Sequence, residues 1–95
     1  IIKSETSLVD KKQFDDWYSH EHLKEAKKDF GAISAKRGWI ANSDLHVAIY
    51  EFQSIKIAQK ILKSKKLKLL IEKFDNKWNN KVNRTREIVD IIQEY

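Results

Sequence analysis

The chain of 95 residues is long enough for one domain with a single hydrophobic core, which excludes a large multidomain enzyme. Hydrophobic residues make up 41% of the chain, which argues against disorder, and the absence of cysteine excludes disulfides and thiolate chemistry. The net charge of +5 belongs to the second half, because residues 1–53 have a balance of −1 and residues 54–95 a balance of +6.

The first half of the chain predicts a strand, a helix and a β-hairpin. Residues 1–9 contain β-branched side chains in loose alternation, which predicts a first strand. We expect this strand to be incomplete, since the chain begins at Ile1 rather than at Met. Asp10 can cap a helix over residues 11–29, where apolar side chains recur every three or four positions. Two strands, over residues 30–40 and 45–52, then flank a polar turn.

The second half predicts a broken helix and a last strand. Ser54 can cap a first helical stripe, and Ser64 predicts a break before a second stripe over residues 67–78. Residues 82–89 alternate as a strand does, although a helix through residues 88–95 is the competing interpretation. The order of elements predicts a single domain over residues 1–95 with an α+β fold. This fold is a ferredoxin-like βαββαβ sandwich, whose four-stranded antiparallel sheet has helices on one face.

Alternation along the strand at residues 45–52 predicts that the two faces of the sheet differ. One set of side chains is aliphatic apart from a terminal glutamate and suits contact with the helices. The other set is aromatic and polar, which is unusual in a dry core. The aliphatic set is Leu45, Val47, Ile49 and Glu51, and the aromatic and polar set is His46, Ala48, Tyr50 and Phe52.

We expect the aromatic and polar set to lie on the helix-free face. Arg37 and Trp39 of the preceding strand, and Arg84 or Arg86 of the last one, can project in the same direction. A mixed aromatic and cationic surface of this kind fits a ligand cavity better than a core. In a monomer it would be an exposed apolar patch, which usually marks an interface or a binding groove.

Five short motifs stand between residues 14 and 88. They are FDDWYSHEHLKE at 14–25, AKR at 35–37, VAIYEF at 47–52, FDNKW at 74–78 and RTR at 84–86. Together they resemble the dimeric α+β barrel superfamily, and most closely its small EthD-like members. Lys24 stands where such proteins usually have a proline, so the helix is expected to run on further. The resemblance implies a homodimer in which two sheets pack through their helix-free faces and close a barrel.

The resemblance also implies a function: binding of a small aromatic or carbonyl compound between the sheet and the helices, with no cofactor. Relatives of this kind include cofactor-independent monooxygenases and isomerases. The candidate catalytic residues are His22, as a general acid or base at the cavity mouth, and Tyr50, as a hydrogen-bond donor to a carbonyl. The candidate ligand-binding residues are Trp17, Arg37, His46 and Arg84.

Structural roles are the alternative for the same residues. His22 can anchor a loop through a hydrogen bond, Trp17 can belong to the core, and Arg37 and Glu51 can be partners in the dimer interface. His20 and His22 point about 200° apart on a helix, so we expect no metal site there.

Other partners follow from the charge pattern. Residues 56–68 contain six lysines and no acid, a pattern typical of a solvated helix face. Nucleic-acid binding by this basic ferredoxin-like domain is therefore the alternative function, together with a non-catalytic interaction module. No apolar run approaches the roughly 18 residues that cross a bilayer, so we expect no membrane partner and a cytoplasmic location.

Overall fold

The elements follow one another in the predicted order. A computed structural model describes residues 1–95, with β1 at Ile2–Glu5, α1 at Lys11–Trp17, a π-helical segment at Tyr18–His22 and α2 at Leu23–Phe30. It continues with β2 at Ser34–Trp39, β3 at Leu45–Glu51, α3 at Ile55–Leu62, α4 at Lys65–Lys77 and β4 at Asn83–Arg86.

The helix ends form where the sequence provides caps. The side chain of Asp10 accepts a hydrogen bond from the backbone N–H of Gln13, at 3.0 Å, at the start of α1. Ser54 and Ser64 cap α3 and α4 in the same way, so the predicted break at Ser64 is confirmed. The helical stretch that begins with α1 ends at Gly31, whose φ of 64° favours glycine.

The sheet is antiparallel throughout, with the strand order β2-β3-β1-β4. This order, with helical crossovers between β1 and β2 and between β3 and β4, is consistent with the predicted ferredoxin-like sandwich. The central strands β1 and β3 place Ser4 opposite His46 and Ile2 opposite Ala48.

The last strand is shorter than predicted. β4 ends at Arg86, and residues 87–95 form neither the expected strand nor the competing helix. The only neighbour of β4 is β1, and the final ladder contact is the N–H of Glu87 donating to the carbonyl of Ile1, at 2.9 Å. Alternation alone therefore does not extend the strand to residue 89.

The predicted assignment of the two sheet faces is wrong. His46 and Ala48 are completely buried under the helices, while Val47 is half-buried and Ile49 lies exposed on the helix-free face. Trp39 also faces inward, with its ring centroid 6.0 Å from that of Phe14.

Side-chain volume explains this reversal. The helices supply large rings to the core, including completely buried Phe14 and Phe74. The central strands place compact side chains against these rings, and Trp39 and Tyr50 pack beside them as partly buried rings. On the sheet these positions are occupied by Ser4, Ala48 and His46. Of the two polar side chains, His46 has a hydrogen-bond partner at Nε2, whereas the hydroxyl of Ser4 has none.

Candidate functional site

Polar side chains of the helix-facing side of the sheet gather around Tyr18, which is almost completely buried. The Tyr18 ring centroid lies 4.3 Å from that of His46 and 4.8 Å from that of His22. The guanidinium carbon of Arg37 lies 5.7 Å from the centre of the Tyr18 ring. Tyr18 was predicted only as part of a helical stripe, yet it is the centre of the cluster.

The π-helical segment positions two of these rings. The N–H of Leu23 donates to the carbonyl of Tyr18, five residues earlier, which widens the helix by one residue. Tyr18 and His22 both point inward from this segment and are buried. Single π turns of this kind are frequent at functional sites.

A chain of hydrogen bonds links Asp15, Arg37 and His46. Nη2 of Arg37 donates to Oδ1 of Asp15 at 2.8 Å, and Nε1 of Trp39 donates to the same oxygen at 2.9 Å. These two bonds, from Trp39 and Arg37, lower the pKa of Asp15. Arg37 is therefore bound to Asp15 of α1. Its position indicates a structural role instead of the predicted ligand contact. The alternative pairing with Glu51 is also wrong, because Glu51 lies on the opposite face of the sheet.

The protonation of His46 follows from this geometry. Nη1 of Arg37 lies 3.1 Å from Nε2 of His46, and a guanidinium can only donate, so Nε2 is the acceptor. The ring is therefore neutral with its proton on Nδ1, which is buried without a partner. Burial, followed by the charge of Arg37, lowers the pKa of His46 to about 4. His46 is a completely buried, neutral core residue.

His22 is also a core residue, and its predicted place at the cavity mouth is wrong. Only 4% of its surface is exposed, and its ring stacks on that of Trp17 at a centroid distance of 4.5 Å. Burial and the nearby charge of Arg84 lower the pKa of His22 to about 4. Its Nδ1 has no hydrogen-bond partner, so the alternative role as a hydrogen-bonded loop anchor is not seen for that atom.

The two arginines of β4 lie side by side on the helix-facing side. The guanidinium of Arg84 lies over the ring of Phe74, 3.5 Å from its centroid, and 3.5 Å from Oδ1 of Asp75. Arg86 has two buried nitrogens, Nε and Nη2, without any partner. Burial lowers the pKa of both groups, that of Arg84 to about 10, so both remain charged at neutral pH.

An apolar cleft opens between α3 and the sheet, with a volume of about 60 Å³. Tyr50 and Arg86 provide most of its polar groups, with Glu87 at the end of the strand. The Tyr18 and Tyr50 hydroxyls lie close enough to influence each other's pKa, yet the Tyr50 hydroxyl has no partner with hydrogen-bonding geometry. Burial raises the pKa of Tyr50, so the hydroxyl is a neutral donor. The apolar lining residues are Ile1, Ile2, Phe30, Phe52, Ala58, Ile61, Leu62, Leu67 and Ile88.

Of the six candidate site residues, only Tyr50 lines this cleft. The other five surround Tyr18 in the core, and they are Trp17, His22, Arg37, His46 and Arg84. Trp17 therefore takes its alternative role as a core residue. Arg86 was noted in the sequence only as a strand cation. Its alternation with Arg84 could have placed both on one face, but no sequence pattern shows that two of its nitrogens lack partners.

Other surfaces add little to this site. A larger and more open groove of about 580 Å³ lies between residues 8–16 and 77–81, and none of the candidate residues lines it. No group of three metal-ligating side chains comes together in the structure. The six lysines of residues 56–68 are all exposed, as predicted for a solvated face. None of the helices combines the length and the apolar character needed to cross a membrane.

Comparison with protein-family models, curated proteins and solved structures found no match. The resemblance to the dimeric α+β barrel superfamily therefore stays a prediction, and the functional argument rests on the geometry of this chain.

Proposed function

We propose that the protein binds a small organic molecule in the cleft between α3 and the sheet, with Tyr50 as a polar contact. The observation that carries the proposal is Tyr50, which lines a mostly apolar cleft and whose buried hydroxyl has no partner. A concave apolar site with a few convergent polar groups is the usual form of a small-molecule site. A ligand oxygen near Tyr50 would supply the missing hydrogen bond.

The wall of the cleft formed by α3 supports the same proposal. No residue of α3 is buried, and Ile55, Ile57 and Leu62 are exposed. A helix with so little buried surface can move outward at small cost, because few apolar contacts hold it. The cleft can therefore widen beyond its volume of about 60 Å³ to admit a chain or a ring.

Binding has more support than catalysis. Neither His22 nor His46 reaches the cleft, and both are neutral side chains packed among aromatic rings. A general base must lie within hydrogen-bonding reach of the proton that it removes. We accordingly propose a binding protein. The cofactor-independent monooxygenase or isomerase activity that the resemblance implies would be a further step beyond this binding function.

A blocking substitution tests the cleft. Ala58 lines it from α3, whereas its neighbour Gln59 is exposed and does not. We expect hexan-1-ol, titrated into the protein and followed by NMR of the isoleucine and leucine methyl groups, to bind saturably. Ala58→Phe should weaken this binding at least tenfold, and the control Gln59→Phe should change it less than twofold. No saturable binding by the unsubstituted protein, or equal binding by all three proteins, would refute the proposal.

We also propose that the helix-free face pairs with the same face of a second copy. Leu45, Val47 and Ile49 form an aliphatic row along a central strand, and Gly38 stands opposite Val47 without a side chain. Lysines and glutamates flank the row, including Lys36, Lys3 and Glu5, so both signs of charge are available to a self-complementary contact. An apolar row of this kind on a sheet is typical of an interface.

The molecular mass in solution tests this pairing. We expect a dimer for the unsubstituted chain and for Gln59→Glu, and a monomer for Val47→Glu, which places a charge in the middle of the row. Circular dichroism shows whether each variant is folded. A monomeric unsubstituted protein at 100 μM would refute the dimer and leave the cleft proposal standing.

Nucleic-acid binding has less support. Single-stranded RNA is commonly recognised by aromatic side chains on an open sheet face, on which bases stack. Here Trp39 and Tyr50 face the helices, and the open face carries aliphatic side chains. The exposed lysines of residues 56–68 remain the one feature that favours this alternative. A gel shift that is strong at low salt and lost at physiological salt would support it.

A further inference from the structure

Arg84 and Arg86 place two positive charges on the same side of one short strand. They are two residues apart on β4, so both point toward the helices, and they lie opposite Ser4 and Ile2 of β1. Both side chains are partly buried, and burial, followed by the charge of Arg86, lowers the pKa of Arg84. Buried charges in proteins are normally paired.

The carboxylates nearby do not balance these charges. Asp75 lies 3.5 Å from Nη2 of Arg84 and is the one acidic residue that affects the pKa of both guanidiniums. Glu87 follows Arg86 and also lines the cleft, but its carboxylate is shared with Lys3, since Oε1 lies 3.7 Å from Nζ of Lys3. One carboxylate thus serves two guanidiniums, and the excess charge rests with Arg86, which has no ion-pair partner.

The unpartnered nitrogens belong to a residue that lines the cleft. Arg86 lines the cleft together with Tyr50, and Nε and Nη2 of Arg86 and the Tyr50 hydroxyl are all buried without hydrogen bonds. Nε and one terminal nitrogen of a guanidinium present two parallel N–H groups, which is the geometry that binds both oxygens of a carboxylate. A ligand with a carboxylate would supply a bidentate acceptor and the missing negative charge.

We propose that the ligand of the cleft is a carboxylic acid with a short apolar chain or ring, bound by Arg86 through its carboxylate. The apolar part lies against α3, where Ala58, Ile61 and Leu62 line the cleft. The Tyr50 hydroxyl donates to a carboxylate oxygen. This inference rests on the proposed function and specifies its ligand class.

Two probes that differ only in the head group test the inference. Hexanoate, which is ionised at pH 7, and hexan-1-ol are titrated separately into the full chain and followed by methyl NMR. We expect hexanoate to bind at least tenfold more tightly than hexan-1-ol. Arg86→Gln should weaken hexanoate binding about tenfold and leave hexan-1-ol binding within twofold. The control Lys60→Gln removes the same charge from an exposed position of α3 and should change neither.

The outcomes separate the two proposals. If hexan-1-ol binds as tightly as hexanoate, or if Arg86→Gln and Lys60→Gln have the same effect, the carboxylate inference is wrong and the small-molecule site stands. If neither probe binds, both proposals are wrong. The comparison of the two probes on the unsubstituted protein needs no variant. It therefore tests the carboxylate inference even if Arg86→Gln does not fold.

Discussion

The helix-facing side of the sheet carries Ser4, His46 and Arg84, whereas the helix-free side of the same strands carries Lys3, Val47 and Thr85. The first side is polar and buried, and the second combines an aliphatic row with charged and hydroxyl side chains at the surface. Because aliphatic side chains are usually buried and polar ones exposed, the opposite arrangement would be expected.

The contrast shows what decides burial in a domain of this size. The large rings of α1 and α4 form much of the core, and the central strands contribute small or polar side chains such as Ser4, Ala48 and His46 beneath them. His46 is satisfied at one nitrogen by Arg37, which in turn is held by Asp15. Tyr50 and Arg86 also lack partners and line a cleft, whereas Ser4, His22 and Trp78 carry unpartnered buried atoms and do not line it.

The largest effect should be loss of stability in acid. His22 and His46 have pKa values of about 4 in the folded state against 6.5 in an unfolded chain, so the unfolded chain binds protons first as the pH falls. The free energy of unfolding should be highest above pH 6.5 and should fall toward pH 4. The decrease is about 1.4 kcal/mol per pH unit for each histidine. Chemical denaturation at a series of pH values measures it.

A matched pair of variants assigns this effect to the buried side. His22→Phe should keep the stacking on Trp17 and remove about half of the slope between pH 6.5 and 4. His20→Gln is the control, because the His20 ring is exposed. A free energy of unfolding that stays constant between pH 7 and 5 would show that the histidines are not buried in neutral form.

Truncation of one apolar side chain on each face should give the next largest difference. Phe14 is completely buried and contacts six other rings of the core, including those of Trp78 and His46. Phe14→Ala should therefore lower the free energy of unfolding by about 3–5 kcal/mol. Val47→Ala on the helix-free face should cost below about 1 kcal/mol at concentrations where the protein is monomeric. Equal costs would contradict the assignment of the faces.

The smallest effect should come from the carboxylate of Asp15. Asp15→Asn removes the charge opposite Arg37, and since the carboxylate is partly exposed the cost should be about 1 kcal/mol. The lowered pKa of Asp15 adds stability above pH 3.8 that is lost as the pH falls through the folded-state value. The variant should therefore lose less stability below pH 4 than the parent does. Asp16→Asn, at the exposed neighbouring position, is expected to behave like the parent.

Much of the fold could be predicted from the sequence, because its signals are local. Periodicity, together with capping by Asp10, Ser54 and Ser64, placed the helices, and alternation placed the strands to within a few residues. The end of β4 at Arg86 was not predicted, because the alternation in the sequence continues to residue 89.

The site was harder to predict because its pattern depends on long-range pairing. The aromatic and polar character of the His46 and Tyr50 set is visible in the sequence, but the side that it faces depends on ring volumes from α1 and α4. The bond from Arg37 to Asp15 joins residues 22 positions apart, and it turns a candidate ligand contact into a structural one. The π turn at residues 18–22 contains no glycine or proline from which it could have been predicted.

The central claim is that the two sides of the sheet have different roles, with a ligand cleft on the buried side and a contact surface on the open side. Methyl NMR during a hexanoate titration tests it most directly, because isoleucine, leucine and valine methyl groups report on both sides. The account predicts saturable shifts for Ile2, Ile61 and Ile88, which line the cleft, and none for Val47 and Ile49. Shifts confined to Val47 and Ile49 would contradict it.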